Sequence, residues 1–265
     1  MKDYKVIRNE SFQNPYTLSQ ELISIASTEK THRFLTNHSS LLIYTFLVDY
    51  VMQFSHYWFG DKKIKILDWG CGKGHITFLL KEAFKAYERD AQIDSCDISL
   101  DKVTNVDSSF RQKTPILEKS KINVIPLNHP YKLPFENQAY DVILSFGVLE
   151  HVPHDQESLN EIQRVLKPNG LFFCFFLPYY LSWTQRIAHL RGNYYHDRLY
   201  SKHDAKRMTH NAGLQLLDIW HRQLLPKNNV HYENYRFFEK VDQALCRYTF
   251  LKYLATNIEF VAKKV

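Results

Sequence analysis

The sequence predicts an α/β fold in which a mostly parallel sheet is covered by helices on both faces, and three observations carry that expectation. Short apolar runs alternate with amphipathic stretches of helical length, as repeated strand-helix-strand units require. Three of the eight glycines crowd between positions 70 and 74, where the first such run ends. The third is size: 265 residues, 45% hydrophobic and 23% charged, suit one large globular domain or a core with an appendage, and exclude a disordered or collagenous chain.

The elements follow in order. Residues 38–58 (HSSLLIYTFLVDYVMQFSHYW) place apolar groups all around a helical wheel apart from Asp49, which predicts a largely buried helix. Residues 64–69 (IKILDW) read as a strand, 75–87 as a helix, 91–96 (AQIDSC) as a second strand and 100–113 as a weaker helix. Strands are then expected at 122–126 and 140–146 (YDVILSF), a helix at 155–166 and a strand at 170–176. Asp141 is expected to fix the entrance of its strand. In LKPNG, 166–170, Pro168 and Gly170 bound a turn into the next strand. Beyond Pro178 the alternation lapses. A helix over 201–212 stops at Gly213, a strand covers 214–220, an insertion rich in His, Tyr and Arg runs over 221–249, and a last strand covers 256–262. The expected division is an N-terminal helical segment, 1–59, and a domain over 60–265 that carries lid insertions at about 178–200 and 221–249.

Composition narrows the compartment and the partners. Cys71, Cys96, Cys174 and Cys246 are widely spaced and form no CxxC, which speaks against a disulfide scaffold or structural zinc and for a reducing cytoplasm. The opening MKDYKVIRNESF lacks the apolar core of a signal peptide. The longest apolar run, Leu171 to Leu181, is too short to span a bilayer and contains a proline, so at most peripheral membrane contact is expected. The formal net charge is +6, and residues 178–253 hold twelve Lys/Arg against six Asp/Glu, so the whole excess lies there. That segment is either an ordinary solvated face or an attraction for an anionic substrate, nucleic acid or lipid surface.

Ile64 to Gly74 reads IKILDWGCGKG: a strand, an acid, and then Gly70, Gly72 and Gly74 ahead of a helix. Such glycines let the chain turn tightly so that backbone N–H groups and the helix N-terminus face a bound group. A dinucleotide fingerprint would need glycine where His75 stands. Asp68, just before the loop, would repel a pyrophosphate and welcome an ammonium; the alternative is that it merely caps the loop. Asp97, after the second strand, lies where an acid meets ribose hydroxyls in nucleotide-binding units. An adenosyl ribose, a carboxylate and an amine on one ligand describe S-adenosylmethionine.

Over residues 60–180 the chain resembles the class I S-adenosylmethionine-dependent methyltransferases of the small-molecule type. The resemblance rests on ILDWGCGKG, SCDIS, KLPFENQAYDVILS, GVLEHV and EIQRVLKPNGLFF, in that order. It implies a Rossmann-like seven-stranded, mostly parallel sheet with an antiparallel last strand. It implies also that Asp68, Gly70, Cys71 and Gly72 hold the methionine moiety, that Asp97 takes the ribose hydroxyls, and that Ile98 lies against the adenine. The acid that usually meets the adenine amino group is missing from Leu127-Asn128-His129-Pro130, so Asn128 or His129 substitutes. Cys71, inside the loop, is expected to make backbone contact and to be inert as a nucleophile.

Ligands in open α/β sheets bind beyond the carboxyl ends of the strands, which directs Ser145, Glu150 and His151 to the site, Ser145 on the cofactor side. Methyl transfer is an in-line displacement that depends mainly on alignment, and a base is needed only where the acceptor loses a proton. His151 leads as that base, with Glu150 as partner or substitute; the equal alternative is that both cap the following helix or line the pocket. His196, after two tyrosines, is a second candidate. Eight of thirteen histidines lie between 151 and 231, with Tyr179, Tyr180, Trp183, Tyr194, Tyr195 and Tyr200 nearby, more groups than an acceptor needs. The LEHV segment also resembles quinone-precursor O-methyltransferases, whose E-x-x-E-H arrangement binds a divalent metal; Gly147 stands at the first acid here, so no metal is expected.

The expected function is therefore methyl transfer to oxygen or nitrogen of a small-molecule acceptor: a glycan, a glycan precursor or an aromatic metabolite. An RNA methyltransferase is the alternative that the basic, aromatic segment motivates, but no Asn/Asp-Pro-Pro-Tyr/Phe motif follows residues 140–146. A non-catalytic protein that keeps the cofactor fold is a third reading, and a hydride-transferring dehydrogenase a distant fourth.

Overall fold

The computed structural model describes residues 38–98, 116–117, 120–192, 196, 198–225 and 232–265. The chain forms two compact units, the first ending its main stretch at Asn128 and the second built on His129–Lys227 and Phe237–Val265. Residues 1–37 of the expected N-terminal helical segment and the helix expected over 100–113 fall outside the described residues, as do Tyr194 and Tyr195.

In the first unit, helix α1 (His38–Phe59) precedes β1 (Ile64–Trp69), α2 (His75–Ala86), β2 (Ala91–Ile98) and β3 (Val124–Leu127). The strands run in the order β3-β2-β1, all parallel, with β1 and β2 in register from Ile64↔Ala91 to Trp69↔Cys96. α1 buries Phe46, Leu47, Tyr50, Val51 and Phe54, as its apolar wheel demands. Its one acid, Asp49, is also buried, accepts a 2.7 Å hydrogen bond from Gln53, and is pushed up to about 7 by desolvation. α2 presents Ile76, Phe78, Leu79, Leu80, Ala83 and Phe84 to the core, the i, i+3, i+4 stripe of a helix packed on a sheet.

The second unit holds β4 (Tyr140–Phe146), α3 (Asp155–Val165), β5 (Leu166–Pro178), α4 (Trp183–Leu190), α5 (Lys202–Asn211), β6 (Leu214–Arg222), a 3-10 helix (Phe250–Leu254) and β7 (Asn257–Lys264). Helix α6 (Tyr232–Tyr248) belongs to it from Phe237 onward. The strand order is β4-β5-β7-β6; β4 and β5 are parallel, and β7 is antiparallel to both neighbours. The fold class is thus the expected one: a seven-stranded, mostly parallel mixed sheet, flanked by helices, whose antiparallel pairings are C-terminal. Leu171, Phe172, Phe173 and Phe175 of β5 are all buried, as a strand covered on both faces requires.

One local expectation changes, one holds, and two segments gain a helix. LKPNG is no turn ahead of a strand, because β5 begins at Leu166 directly after α3 and the ladder is interrupted by a bulge. Asn169 there has φ 60°, and a Cβ on Gly170 would lie 2.8 Å from the Lys167 carbonyl, so the punctuating residues serve the bulge. Asp141 does fix the strand entrance: Lys167 donates to its carboxylate at 2.6 Å. The stretch 221–249 carries helix α6, and 178–200 carries α4, capped at its N-terminus by Ser182.

Candidate functional site

The glycine loop is built by its own backbone. After β1 the amides of Gly70 and Cys71 both donate to the Cys96 carbonyl, at 2.9 and 3.1 Å, and Gly74 donates to the Cys71 carbonyl at 2.9 Å. Gly70, Gly72 and Gly74 have φ of 73°, 53° and 79°, the left-handed region that side chains resist. Their needs differ. A Cβ on Gly74 would collide with the Leu117 side chain, whereas one on Gly72 would meet nothing within 4 Å. Gly74 therefore answers to packing and Gly72 to an open cradle.

Two acids hold this loop. Asp97 accepts from the Gly72 amide through Oδ2 and from the Ile98 amide through Oδ1, both at 2.6 Å. Asp68, 1% exposed, accepts a 2.6 Å hydrogen bond from the Thr77 hydroxyl at the start of α2. Burial pushes its carboxyl up to about 7, with Asp97 adding to the rise and Thr77 opposing it. Asp68 thus has a partner inside the protein, as the capping alternative requires. Thr77 was not singled out from sequence; its one signal is a polar residue on the apolar face of HITFLL.

These groups suit S-adenosylmethionine. The left-handed turn leaves open space off Gly72, and Asp97 brings a carboxylate, an acceptor for hydroxyls, to the same loop. Ile98 is half-buried and Cys71 buried, while Asn128 is exposed. His129 accepts from the amides of Tyr131 and Lys132 through Nδ1, at 3.4 and 3.1 Å, which engages that nitrogen in its own turn. Ser145 is fully buried in β4, opposite Cys174 of β5.

In the second unit the structure brings together the three sequence-predicted acid-base residues. Glu150 Oε1 lies 3.8 Å from His151 Nε2 and 3.9 Å from His196 Nδ1, and the two imidazole rings are 5.5 Å apart. Glu150 is 2% exposed, and its Oε2 has no hydrogen-bond partner among the described residues. Burial pushes its carboxyl up to about 7, against weaker opposing effects of its own backbone amide and then of Arg198. Gly147, at φ 66°, is part of this arrangement, because a Cβ there would stand 3.5 Å from the Glu150 carboxylate. One donor atom from each of Glu150, His151 and His196 lies within 4.8 Å of the others, close enough to hold a divalent ion.

His196 is brought to Glu150 by a strap that the sequence did not reveal. Arg198 pairs with Asp155 at 3.3 Å, the Tyr200 hydroxyl donates to Asp155 at 3.0 Å, and Tyr200 bridges to Tyr179. Other aromatics of this region are committed to packing. The Trp183 indole donates to the Leu224 carbonyl at 2.8 Å, and His221 is buried between the rings of Tyr179 and Tyr253. Burial lowers the His221 imidazole to about 3, so it is neutral.

A methyltransferase domain family matches residues 41–219, more than half of the chain, and the chain belongs to that family. Its members are S-adenosylmethionine-dependent enzymes, and S-adenosylmethionine is the cofactor that the family and the fold imply. Among curated relatives, an uncharacterised methyltransferase of Schizosaccharomyces pombe is 33% identical over 43% of this chain and 40% of its own length. The ubiquinone/menaquinone biosynthesis C-methyltransferase UbiE of Bartonella tribocorum is 33% identical over 48% and 46%. The matched stretch therefore spans less than half the length of these relatives. A solved protein of Galdieria sulphuraria, provisionally a sarcosine dimethylglycine methyltransferase, superposes with a TM-score of 0.56 at 15% identity, covering 93% of this chain and 97% of its own. A likeness at that identity is one of fold alone.

Proposed function

We propose that the chain methylates a small-molecule acceptor, best an aromatic ring bearing an acidic hydroxyl, with Glu150 as the base. The observation that carries this reading is a buried carboxylate, one oxygen of which has no hydrogen-bond partner among the described residues, flanked by two imidazoles. A carboxyl whose pKa lies near 7 is poised to accept a hydroxyl proton near neutrality. His151, half-exposed, passes that proton to solvent, and His196 orients the carboxylate. When bound, S-adenosylmethionine supplies an electrophilic methyl on a sulfonium. Asp97 would hold the ribose hydroxyls, Gly70, Cys71 and Gly72 would face the methionine moiety, and Ile98 would cover the adenine, with Asn128 or His129 at its edge. Asp68 keeps the loop in shape through Thr77. The segments 178–200 and 221–249 would select the acceptor, and four cysteines spread widely along the chain suit a reducing cytoplasm.

A second reading keeps the same base and moves the methyl to carbon. The UbiE relatives are named as C-methyltransferases, and a phenol that loses its proton is nucleophilic at ring carbon as well as at oxygen. Incubation with S-adenosylmethionine and a panel of catechols and hydroquinones is expected to release S-adenosylhomocysteine. Mass spectrometry of the product then separates O-methyl from C-methyl. Wild-type protein that binds no S-adenosylmethionine by calorimetry would refute the cofactor assignment, and turnover unaffected by Glu150→Gln would refute the base. Turnover that survives chelation by EDTA keeps the three-residue cluster as a proton device; turnover lost to EDTA and restored by one metal makes it a metal centre.

A further inference from the structure

Helix α6 is polarised the wrong way round for an ordinary surface helix. From Phe237 onward its acids point inward. Glu239 is buried against Arg222, which lies between it and Glu259 at 3.5 and 3.4 Å. Asp242 is buried and accepts from the amides of Leu224 and Leu225 at 2.9 and 2.7 Å. From Phe237 onward the exposed residues of the helix are Phe237, Phe238, Lys240, Ala244, Arg247 and Tyr248, and the spacing of all but Phe238 confines them to an arc of about 100°.

The next element continues this face. Residues 247–254 read RYTFLKYL, two cations and no acid, and the exposed side chains include Tyr248 (73%), Phe250 (79%), Tyr253 and Leu254. The Arg247 guanidinium lies 5.0 Å over the Tyr248 ring and the Lys252 ammonium 5.2 Å over the Tyr253 ring. Phe237, at 67% exposure, extends the apolar row toward the start of the helix. A protein that has buried its own carboxylates and left aromatic rings among cations in water presents a surface complementary to an anionic, apolar partner.

We propose that the outward face of α6 and the 3-10 helix after it is a contact surface for an anionic phospholipid bilayer. Tyrosine and phenylalanine suit the boundary between headgroup and acyl chain, and Lys240, Arg247 and Lys252 meet the lipid phosphates. A second copy of this chain fits worse, because two-fold pairing of the face would set Arg247 and Lys240 against cations of the same kind. RNA fits worse as well, because Phe237, Ala244 and Leu254 offer no donor to a phosphate backbone and the cations form no continuous track. The inference is independent of the acceptor and of the base.

Sedimentation of the full chain with phosphatidylcholine vesicles, in which about a third of the lipid is phosphatidylglycerol, tests it. The protein is expected to co-sediment with those vesicles, to release them as salt rises, and to ignore vesicles of phosphatidylcholine alone. Lys240→Gln with Arg247→Gln should lower the partition coefficient roughly 30-fold, the product of two cation contacts. Tyr248→Ser with Phe250→Ser should lower it roughly tenfold. All four residues are exposed, so unchanged melting temperatures are expected and show that the variants are folded. Absence of vesicle binding by the wild type, equal binding by the variants, or loss of self-association or of RNA binding as the one effect of the substitutions overturns the proposal.

Discussion

The glycine loop and the Glu150 cluster make different uses of the same chain. The loop is a backbone construction: left-handed glycines, amides turned onto the Cys96 carbonyl, and one carboxylate, Asp97, tying Gly72 across the next strand. The cluster is a side-chain construction, in which Glu150 and His151 are adjacent in sequence but His196 arrives through a strap anchored on Asp155. A backbone grip is fixed by a few residues close in sequence and tolerates little change. A side-chain cluster is assembled from afar, and its members can be removed one at a time without disturbing the fold.

That contrast predicts separable losses. The largest is expected at Glu150→Gln, which should lower kcat by roughly 1,000-fold while leaving the affinity for S-adenosylmethionine unchanged. The wild-type rate should rise with pH through about 7, as Glu150 loses its proton, and the variant should lose that rise. An altered cofactor affinity in the variant would show that the two regions are not separable. Next is Asp97→Ala, which removes both 2.6 Å bonds that shape the loop; calorimetry should find the affinity for S-adenosylmethionine lower by on the order of 100-fold.

A smaller effect tests the burial of Glu150. Its folded-state pKa is raised from 4.5 to about 7, so the stability it contributes is fully present below the unfolded value and lost as pH rises through the folded one. Glu150→Gln should therefore be more stable than wild type at pH 8, by on the order of 2 kcal/mol, and no more stable below about pH 4. Denaturant titrations at the two pH values measure the difference. The smallest stability change is expected at Gly72→Ala. With nothing near its Cβ, only the left-handed backbone resists, at about 1 kcal/mol, yet a methyl in the cradle should weaken S-adenosylmethionine binding roughly 30-fold.

How much of this could be read from the sequence follows the same division. Strand, acid, glycines and helix lie within residues 64–86, so local propensity and motif spacing agree there and the loop was legible. Glu150, His151 and His196 were each legible as chemistry. Their convergence was not, because it depends on Asp155, Arg198 and Tyr200 meeting in three dimensions. The bond from Thr77 to Asp68 was not legible, because nothing in the sequence says which polar residue of α2 faces the end of β1. Helix α6 was hidden for a different reason. Its buried positions include Glu239 and Asp242 and its exposed ones Phe237 and Tyr248, so hydrophobic periodicity, which assumes apolar residues inside, points the wrong way. β5 was misjudged at its start because Pro168, Asn169 and Gly170 signal a turn, and a bulge uses the same residues.

The bond from the Gly72 amide to Asp97 closes an interval of 25 residues that contains all of α2. It forms only when β1 and β2 lie in their observed register, since Asp97 follows directly on Cys96, the partner of Trp69. The amide proton of Gly72 is therefore a timer for that pairing. Its exchange with solvent deuterium should be slow even without cofactor, and should quicken with any core substitution that lets the two strands slip or part. A loop that looks like a surface feature would then exchange on the clock of the sheet beneath it.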